Sequence, residues 1–455
     1  MISGKVFFVG ISEWNDDVEK MIEEYDLGGI LLSPRVLGDP VQFYRAMDFL
    51  SGRDILVSSD HEGGQMETVP YIPPLPGNMV LGRADPSETE EITRDIARIL
   101  NMYGFNTIFA PVLDLHFPGS SAVIGTRSFS SDPKIAAEHG VAAIRGYVSG
   151  GIVPCAKHFP GHGRAVHDSH EEDVVIDATM EDIWETDLLP FRRAVDAGVP
   201  MIMTAHITVP SVDDLPATLS KFFIGEILRR RMGYEGIVIS DAVEMRAIRD
   251  RFSPDEIVRK FFEAGGDMII IADSSNLPEF HDALHKALED FEVRKKVEEA
   301  SVKISDLARR SKKGRLLSRI FRVSSGAPEL KAGKVPKKIF LVVPRGKNLS
   351  QADTSASHYD VIVNSLSKIF EIEGVERYEI ADGPQSARGD VVVDIVVDAF
   401  RSRRALENHR KLSDGRRVVY VIARDPKDAE LLEGEKVVTF SSNPVVVCEA
   451  LRKLL

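Results

Sequence analysis

Short, almost uninterrupted apolar runs alternate with amphipathic stretches along the first 300 or so residues. Eight of these runs predict β-strands, at 4–10, 28–33, 54–60, 105–114, 151–157, 199–206, 236–241 and 266–273. Apolar residues stand at nearly every position of each run rather than at every second one. This pattern indicates strands that are buried on both faces, as in a parallel sheet.

The stretches between the runs have helical periodicity and predict helices that include Glu88–Tyr103, Pro133–Ser149, Thr179–Ala197 and Pro254–Ala264. Two of these helices open on capping signals, which are Thr179 with acidic residues in the first turn and Ser253 followed by Pro254. Eight strand–helix units in about 300 residues predict an α/β fold of the (β/α)₈ barrel type. An open doubly wound sheet is the alternative, but no G-x-G-x-x-G follows the first strand.

A smaller α/β domain is predicted after the barrel. We expect the barrel domain to span 1–322, a linker rich in proline, glycine and serine to span 323–337, and the second domain to span 338–455. Its elements are predicted at 338–343, 390–398, 417–423 and 436–441 for strands and at Pro444–Leu455 for a helix. It has no recognisable catalytic motif, so covering the substrate cleft, mediating dimers and stabilising the barrel all remain open roles.

Composition narrows the classes of protein. A chain of 455 residues is long enough for two domains, and a net charge of −13 argues against nucleic acid or an anionic membrane as a partner. The two cysteines, Cys155 and Cys448, lie far apart in apolar contexts, which favours a reducing compartment. No signal peptide or membrane-spanning run is recognisable, and we expect a cytoplasmic protein.

Polar residues follow most of the predicted barrel strands. They are Asp60, Asp114, Lys157, His158, His206, Asp241 and Asp273. In a barrel the carboxyl ends of the strands converge on one face, where active sites are built. A single Asp after a strand is usually a helix cap or a turn former, but the same pattern at six strand ends predicts a site.

The segment 155–172, C-A-K-H-F-P-G-H-G-R-A-V-H-D-S-H-E-E, contains four of the 12 histidines. Clustered histidines raise the possibility of a metal site, and His158, His206 and Asp273 fit the strand-end positions of some metal-dependent barrel hydrolases. That pattern also requires an H-x-H at the end of the first strand, which this chain lacks, and no H-E-x-x-H occurs. We therefore expect no metal and no cofactor.

Acid–base chemistry without a metal is the stronger prediction. Asp168 and His170 are two residues apart, so the carboxylate can fix the imidazole tautomer and leave the other ring nitrogen free to transfer a proton. A charged surface loop is the alternative interpretation of this D-S-H. Asp241, at the end of a rigid apolar strand, is the best candidate for a carboxylate nucleophile.

These residues carry a resemblance to a known family. The chain resembles glycoside hydrolase family 3, and within it the β-N-acetylglucosaminidase branch, in motifs that recur in the family's order over about 50–250. The motifs are D-H-E-G-G-Q (60–65), P-L-P-G-N-M-V-L-G (74–82), F-A-P-V-L-D (109–114), I-G-T-R-S-F-S-S-D-P (124–133), K-H-F-P-G-H-G (157–163), D-S-H (168–170), M-T-A-H-I (203–207), P-A-T-L-S (216–220) and S-D-A-V-E-M (240–245).

The resemblance implies a retaining, exo-acting enzyme that removes N-acetylglucosamine from muropeptides or chitooligosaccharides. Asp241 is then the nucleophile, His170 the acid/base and Asp168 the residue that orients it. The residues implied to bind the sugar are Asp60, Arg127, Lys157, His158, His206 and Met245. The only implied partner is a small carbohydrate, bound by a monomer or a homodimer.

Four positions depart from the family pattern. Gln65 and Thr68 stand where the family usually has arginines, Arg164 where it commonly has an aspartate, and Ala242 where it has a second aspartate. These departures keep a β-glucosidase or β-xylosidase activity open, and the histidine acid/base that the resemblance implies keeps a phosphorylase open, because a histidine does not repel an incoming phosphate. A sugar-binding protein without turnover and a metal-dependent barrel hydrolase are the alternatives from other classes.

Overall fold

A computed structural model describes residues 4–117, 123–165, 174–326, 328–345, 358–423, 426–439 and 441–455. The chain forms two compact units. The first comprises Met1–Gly38 and Phe49–Leu316, and the second comprises Asp39–Asp48 and Leu317–Leu455. Within the described ranges, no helix combines the length and the apolar character needed to cross a membrane.

The first unit is built on parallel strands. Its strands are β1 (Phe7–Ile11), β2 (Gly29–Leu32), β3 (Leu56–Ser58), β4 (Thr107–Ile108), β5 (Val153–Phe159), β6 (Val174–Val175), β7 (Met201–Thr204), β8 (Ile207–Thr208), β9 (Ile237–Ala242) and β10 (Met268–Ile271). Eight of them form one sheet in the order β3-β2-β1-β10-β9-β7-β5-β4, and β6 pairs with β8 separately. Each strand of the eight-stranded sheet therefore lies beside its predecessor or successor, which is the topology of a (β/α)₈ barrel.

Asn106 brings together the two end strands of this sheet. Its backbone N–H donates to the Val57 carbonyl at 3.3 Å, and its side-chain oxygen accepts from the Val57 N–H at 2.7 Å. The sheet thus comes close to a complete barrel, which confirms the predicted fold class. All eight predicted strands are present, because strands buried on both faces require the continuous apolar runs that the sequence contains.

Helices alternate with the barrel strands. They are α1 (Asp16–Tyr25), α2 (Pro34–Leu37), α3 (Pro40–Leu50), α4 (Asn78–Leu81), α5 (Pro86–Tyr103), α6 (Pro133–Ser149), α7 (Met180–Glu185), α8 (Leu188–Asp196), a π-helix (Lys221–Arg231), α9 (Arg246–Arg249), α10 (Pro254–Ala264), α11 (Leu277–Ala287) and α12 (Phe291–Arg310). The predicted caps are present, since Thr179 and Ser253 both form capping boxes.

One predicted helix, Thr179–Ala197, is divided into α7 and α8. At the break, the Thr186 hydroxyl oxygen lies 2.6 Å from the Asp182 carbonyl oxygen and 2.6 Å from an Asp187 carboxylate oxygen, so its single hydrogen serves one of the two. Arg164 also holds Asp187, at 2.8 Å. Side-chain bonds to the backbone compete with helical ones, and these bonds end α7 where periodicity alone predicts continuity.

The second unit has its own sheet, formed by β11 (Glu329–Lys331), β12 (Lys338–Pro344), β13 (Glu371–Tyr378), β14 (Val391–Val396), β15 (Arg417–Ile422) and β16 (Glu435–Val438). The order is β11-β16-β15-β14-β12-β13, and β11 alone is antiparallel to its neighbour. The helices that follow the barrel in the sequence are α13 (Leu316–Gly326), α14 (His358–Leu366), α15 (Arg403–Lys411), α16 (Lys427–Leu431) and α17 (Pro444–Arg452).

Two features of the second unit were not predicted. Helix α3 lies between barrel strands in the sequence, but Val41 packs in the core of the second unit and Asp39 pairs with Lys368 at 2.7 Å. The segment 323–337, predicted as a linker, contains the end of α13 and the strand β11. Helix α13 buries Leu317 and Phe321. This buried face was not predicted, because the many basic residues of the surrounding stretch made it resemble a solvent-exposed helix.

Lys313 gives the first unit a pH-dependent contact. Its ammonium donates to the carbonyls of Arg53 at 2.8 Å and Ile55 at 2.9 Å. Burial lowers the pKa of Lys313 from 10.5 to about 8, against the opposing charge of Asp54. Between these values the unfolded chain binds more protons than the folded chain, so this residue adds stability as pH rises from about 8 to 10.5.

We expect the stability of the wild type relative to Lys313→Met to increase with pH over that interval. The measurement is the thermal midpoint of both proteins at a series of pH values. Lys312→Met, which replaces the exposed neighbouring lysine, should keep a constant difference from the wild type. A constant difference for Lys313→Met as well would show that Lys313 is not buried as an ammonium.

Candidate active site

The polar residues that follow the barrel strands meet at the carboxyl ends of those strands. Asp60 and Glu62 follow β3, Lys157 and His158 lie on β5, and Asp241 lies on β9. The strands beneath are fully buried over most of their length, so these side chains stand on a rigid support. Asp60, Lys157, His158 and Asp241 thus lie close together at this face, whereas Asp273 caps the turn that follows β10.

Two carboxylates and two cations form one cluster at this face. Glu62 accepts two bonds from Arg127, from Nε at 2.7 Å and from Nη2 at 2.8 Å, and contacts Lys157 Nζ at 2.6 Å. Lys157 Nζ also donates to Asp60 at 2.9 Å. The Glu62 side chain is 1% exposed, whereas that of Asp60 is 30% exposed. Asp60 is thus the carboxylate of the cluster that a ligand can reach.

The ionisation of the cluster follows from its pairing. Burial alone would raise the pKa of Glu62, but Lys157 and Arg127 lower it to about 2. Burial alone would lower the pKa of Lys157, whereas the charges of Asp60 and Glu62 hold it above its ordinary value. Near neutral pH, Glu62 is therefore an anion and Lys157 a cation.

A glycine turn places Glu62 in this cluster. Gly63 has φ +94°, and a Cβ atom there would lie 2.5 Å from the Cβ atom of Leu75. Gly64 has φ +60°, and its N–H donates to the Leu75 carbonyl at 3.1 Å. Only glycine adopts these conformations without strain, so the E-G-G sequence folds the chain back directly after Glu62.

Asp114 organises the loop that begins at the end of β5. It accepts the backbone N–H of His158 at 3.2 Å, the His158 Nδ1 at 2.6 Å and the backbone N–H of His162 at 2.7 Å. Burial opposes its ionisation, but the imidazole of His158 keeps the pKa of Asp114 below its ordinary value. The bond to Nδ1 orients the His158 ring and fixes which nitrogen is left for a ligand. The Lys157–His158 peptide bond is cis.

Asp241 is the penultimate residue of β9 and has a half-buried carboxylate. Its Oδ1 accepts the backbone N–H of Ala242 at 2.8 Å. Burial alone would raise the pKa of the Asp241 carboxyl, but the charges of His158 and His206 and the Ala242 N–H outweigh burial and lower it. An ionised carboxylate at a rigid strand end is suited to attack an electrophilic carbon.

His206 and Met245 are connected to Asp241 through Ala242. His206 Nε2 bonds to the Ala242 carbonyl at 2.9 Å, and its Nδ1 bonds to the Thr218 hydroxyl at 2.8 Å. The backbone N–H of Met245 donates to the same Ala242 carbonyl at 3.2 Å. Both side chains are buried, at 1% and 7% exposure, and the contacts described for them support the Asp241 turn.

Asp168 and His170 lie outside the described residues, so their predicted pairing stays a prediction. Arg164, which precedes them, donates to Asp187 and to Thr186, each at 2.8 Å. Its guanidinium also lies over the Phe117 ring, 4.6 Å from the ring centroid. At position 164 the family's carboxylate is therefore replaced by a guanidinium, which pairs with the buried carboxylate of Asp187.

The other departures have local partners. The Thr68 hydroxyl donates to the Asp60 carbonyl at 2.7 Å and lies 2.5 Å from the Ser59 hydroxyl. Gln65 accepts a bond from Thr126 at 2.9 Å. Thr68 thus supports the backbone of Asp60, where an arginine would have added a cation.

Two residues of the site were not assigned a role from the sequence. Glu62 was part of a recognised motif, and Asp114 was noted only as a strand-end residue. Neither spacing nor residue type shows that Glu62 points inward at two cations or that Asp114 receives two backbone N–H groups. Among the described residues, no group of three or more His, Cys, Asp or Glu side chains could hold a metal ion.

The arrangement combines a carboxylate nucleophile candidate with donors and acceptors for hydroxyl groups. Asp60 offers acceptors, whereas Arg127 and Lys157 offer donors, and both kinds are needed to hold a sugar ring. Fixed hydroxyl contacts place an anomeric carbon for in-line attack by Asp241. This chemistry agrees with glycoside cleavage.

Comparisons with known proteins point to the same chemistry. The sequence model of the glycosyl hydrolase family 3 N-terminal domain matches residues 3–307, and that of the beta-N-acetylglucosaminidase C-terminal domain matches residues 337–454. A beta-hexosaminidase from Thiobacillus denitrificans is 34% identical over 282 residues, which are 60% of this chain and 77% of that protein.

Solved structures are similar over the whole chain. The beta-N-acetylglucosaminidase from Thermotoga maritima is 41% identical with a TM-score of 0.92, covering 99% of this chain and 100% of its own. Zinc-bound CbsA from Thermotoga neapolitana is 39% identical with a TM-score of 0.92, covering 99% of both chains. These findings confirm the family predicted from the motifs: the chain is a glycoside hydrolase and belongs to glycoside hydrolase family 3.

Proposed function

We propose that this enzyme is a retaining, exo-acting β-N-acetylglucosaminidase that releases terminal N-acetylglucosamine from muropeptides or chitooligosaccharides. The observation that carries the proposal is the Asp241 carboxylate, kept ionised at the end of β9. The cluster that contains Asp60, Arg127 and Lys157, which offers donors and acceptors for sugar hydroxyls, supports it. The similarity to beta-hexosaminidases and to a beta-N-acetylglucosaminidase supports the choice of sugar.

The first step forms a covalent intermediate. An Asp241 carboxylate oxygen bonds to the anomeric carbon while the bond from that carbon to the leaving-group oxygen breaks. His170, oriented by Asp168, gives its proton to the leaving oxygen. The sugar is then held as an ester of Asp241, and His170 is neutral.

The second step releases the sugar. His170 removes a proton from water, the water oxygen bonds to the anomeric carbon, and the bond to Asp241 breaks. Two inversions give net retention of the β configuration. Phosphate in place of water would give a sugar phosphate, and a histidine base repels this anion less than a carboxylate base does.

A panel of 4-nitrophenyl glycosides tests the proposed sugar. We expect release of nitrophenol from the β-N-acetylglucosaminide to exceed by far the release from the β-glucoside and the β-xyloside. NMR of the early product should show the β-anomer. Each assay is repeated with EDTA and with phosphate, and we expect EDTA to have no effect.

The other outcomes identify the alternatives. Preference for the glucoside or xyloside would contradict the proposed sugar and point to the departures at Gln65 and Thr68. A product that is N-acetylglucosamine phosphate would identify a phosphorylase. Loss of activity in EDTA would contradict the metal-free mechanism, and no turnover of any glycoside would leave a sugar-binding protein.

A further inference from the structure

Glu62 is the least exposed member of the Asp60, Glu62, Arg127 and Lys157 cluster, and the proposed mechanism does not use it. Its side chain is 1% exposed, against 3% for Lys157 and 11% for Arg127. Both of its oxygens are engaged, since Oε2 accepts from Arg127 Nε and Oε1 contacts both Arg127 Nη2 and Lys157 Nζ. Both Glu62 oxygens are therefore occupied by the two cations, and Asp60, whose side chain is 30% exposed, is the carboxylate left for a ligand.

The contacts of Glu62 determine which N–H groups remain available. A guanidinium has five N–H bonds. In Arg127, Nε and one Nη2 hydrogen bond to Glu62, and one Nη1 hydrogen bonds to the Val123 carbonyl at 3.0 Å. A lysine ammonium has three, of which Glu62 and Asp60 take two. Among the described contacts, two N–H bonds of Arg127 and one of Lys157 remain for a ligand.

We propose that Glu62 is a positioning residue for sugar binding, which orients Arg127 and Lys157 together so that their remaining N–H groups meet the sugar hydroxyls. The inference rests on the proposed glycoside hydrolysis and adds to it a residue that acts through its neighbours. A bidentate carboxylate–guanidinium pair fixes the plane of the guanidinium, and the shared Oε1 joins that plane to the lysine. One carboxylate thus aligns donors from two different elements, which are the 3₁₀ turn Gly125–Arg127 and strand β5.

Glu62 also keeps Lys157 charged. The groups that face Lys157 are Asp60 and Glu62 from the segment after β3, Arg127 from its turn and Asp241 from β9. Burial and Arg127 favour loss of the lysine proton, whereas Asp60 and Glu62 oppose it. When Glu62 is neutralised, one of these two anions is lost, and the pKa of Lys157 falls. The variant should then lose affinity for the sugar at lower alkaline pH than the wild type.

Glu62→Gln in the full-length chain tests the inference, because glutamine preserves the size of the side chain and removes the charge. We expect kcat/KM for the 4-nitrophenyl β-N-acetylglucosaminide to fall by about 10²-fold, as a misplaced binding group does. The affinity for N-acetylglucosamine, measured by calorimetry from about pH 6 to about pH 11 around the ordinary lysine pKa, has an alkaline limb that should move to lower pH in the variant. Affinity is measured here because the proposed acid/base His170 loses its own proton on the alkaline limb of turnover. Thermal midpoints at each pH separate this effect from unfolding.

Two further variants serve as controls. Glu62→Asp keeps the charge on a shorter side chain, so it should raise KM and leave the alkaline limb at its wild-type position. Glu244→Gln alters a carboxylate that accepts the backbone N–H groups of Ala272 and Asp273, each at 3.0 Å. It should change the thermal midpoint without moving the limb. If Glu62→Gln fails to fold, Glu62→Asp still tests the inference. A raised KM with an unmoved alkaline limb would support a positioning role, and a wild-type KM would overturn it.

The outcomes distinguish this inference from the proposed function. Wild-type kcat, KM and alkaline limb in Glu62→Gln would overturn the positioning role and leave the glycosidase assignment intact. If the panel identifies another glycoside, the same variants are compared on that glycoside, since the inference concerns hydroxyl contacts common to these sugars. If no glycoside turns over, calorimetry with N-acetylglucosamine compares wild type and Glu62→Gln, and equal affinities would overturn the inference.

Discussion

Asp241→Ala should abolish turnover of the 4-nitrophenyl β-N-acetylglucosaminide, with kcat reduced by about 10³-fold or more. The variant lacks the carboxylate that would form the covalent intermediate, while the cluster around Asp60 and Lys157 keeps its own contacts. The measurement is nitrophenol release at saturating substrate, with circular dichroism to confirm that the variant folds. Added azide, a small nucleophile that fits the space of the missing carboxylate, should restore part of the rate.

The matched control is another aspartate after a barrel strand. Asp273 follows β10, and its carboxylate accepts the backbone N–H of Ser275 at 2.9 Å as a helix cap. Asp273→Ala should retain most of the activity. Substantial turnover by Asp241→Ala would show that the nucleophile has been assigned to the wrong residue. If Asp273→Ala folds normally but is inactive, Asp273 is also needed for catalysis, and loss of activity in Asp241→Ala would not by itself identify the nucleophile.

His409→Leu should strongly destabilise the second unit. His409 Nδ1 lies 2.6 Å from the Asp394 carboxylate, and both side chains are fully buried. Leucine fills a similar volume but leaves Asp394 as a buried charge without this partner, which costs about 3–5 kcal/mol. Amide hydrogen exchange measured by mass spectrometry should therefore be about 10²-fold faster or more in peptides from β14 and β15.

Two comparisons identify the cause of that loss. Glu407→Gln on the same helix removes an exposed pair with Arg403 and should leave exchange unchanged. Replacing both members of the buried pair, with Asp394→Val and His409→Leu together, removes the stranded charge and should recover most of the protection. Unchanged exchange in His409→Leu would mean that the pair contributes little to the second unit.

The parts of the fold that the sequence predicted are those that local pattern determines. All eight barrel strands are continuous apolar runs, and helices such as α6 and α10 begin at a capping residue followed by proline. Strand β13 escaped prediction because Glu371, Glu373 and Glu376 interrupt its apolar character. It lies at an edge of the sheet, where charged side chains remain in solvent.

The candidate site was predictable to the same degree. Asp60, Lys157 and Asp241 were recognisable because polar residues at the ends of apolar strands stand out and because barrel strand ends converge. Glu62 was not recognisable as a member of the cluster, because the glycine turn that aims it inward depends on contact with Leu75. Asp168 and His170 remain a prediction from the sequence motif.

By itself the sequence determined the barrel, the second domain and the family, since apolar runs, caps and ordered motifs are properties of neighbouring residues. Only the tertiary structure decided which charges meet. Glu62 and Lys157 are far apart in the chain but contact each other. Val41 of helix α3 is likewise far in the chain from the other residues of the second unit's core, in which it packs. The pKa of a side chain depends on its burial and on charged groups a few ångströms away. The fold brings those groups together from different strands, and the order of the strands along the chain does not give the distances between their side chains.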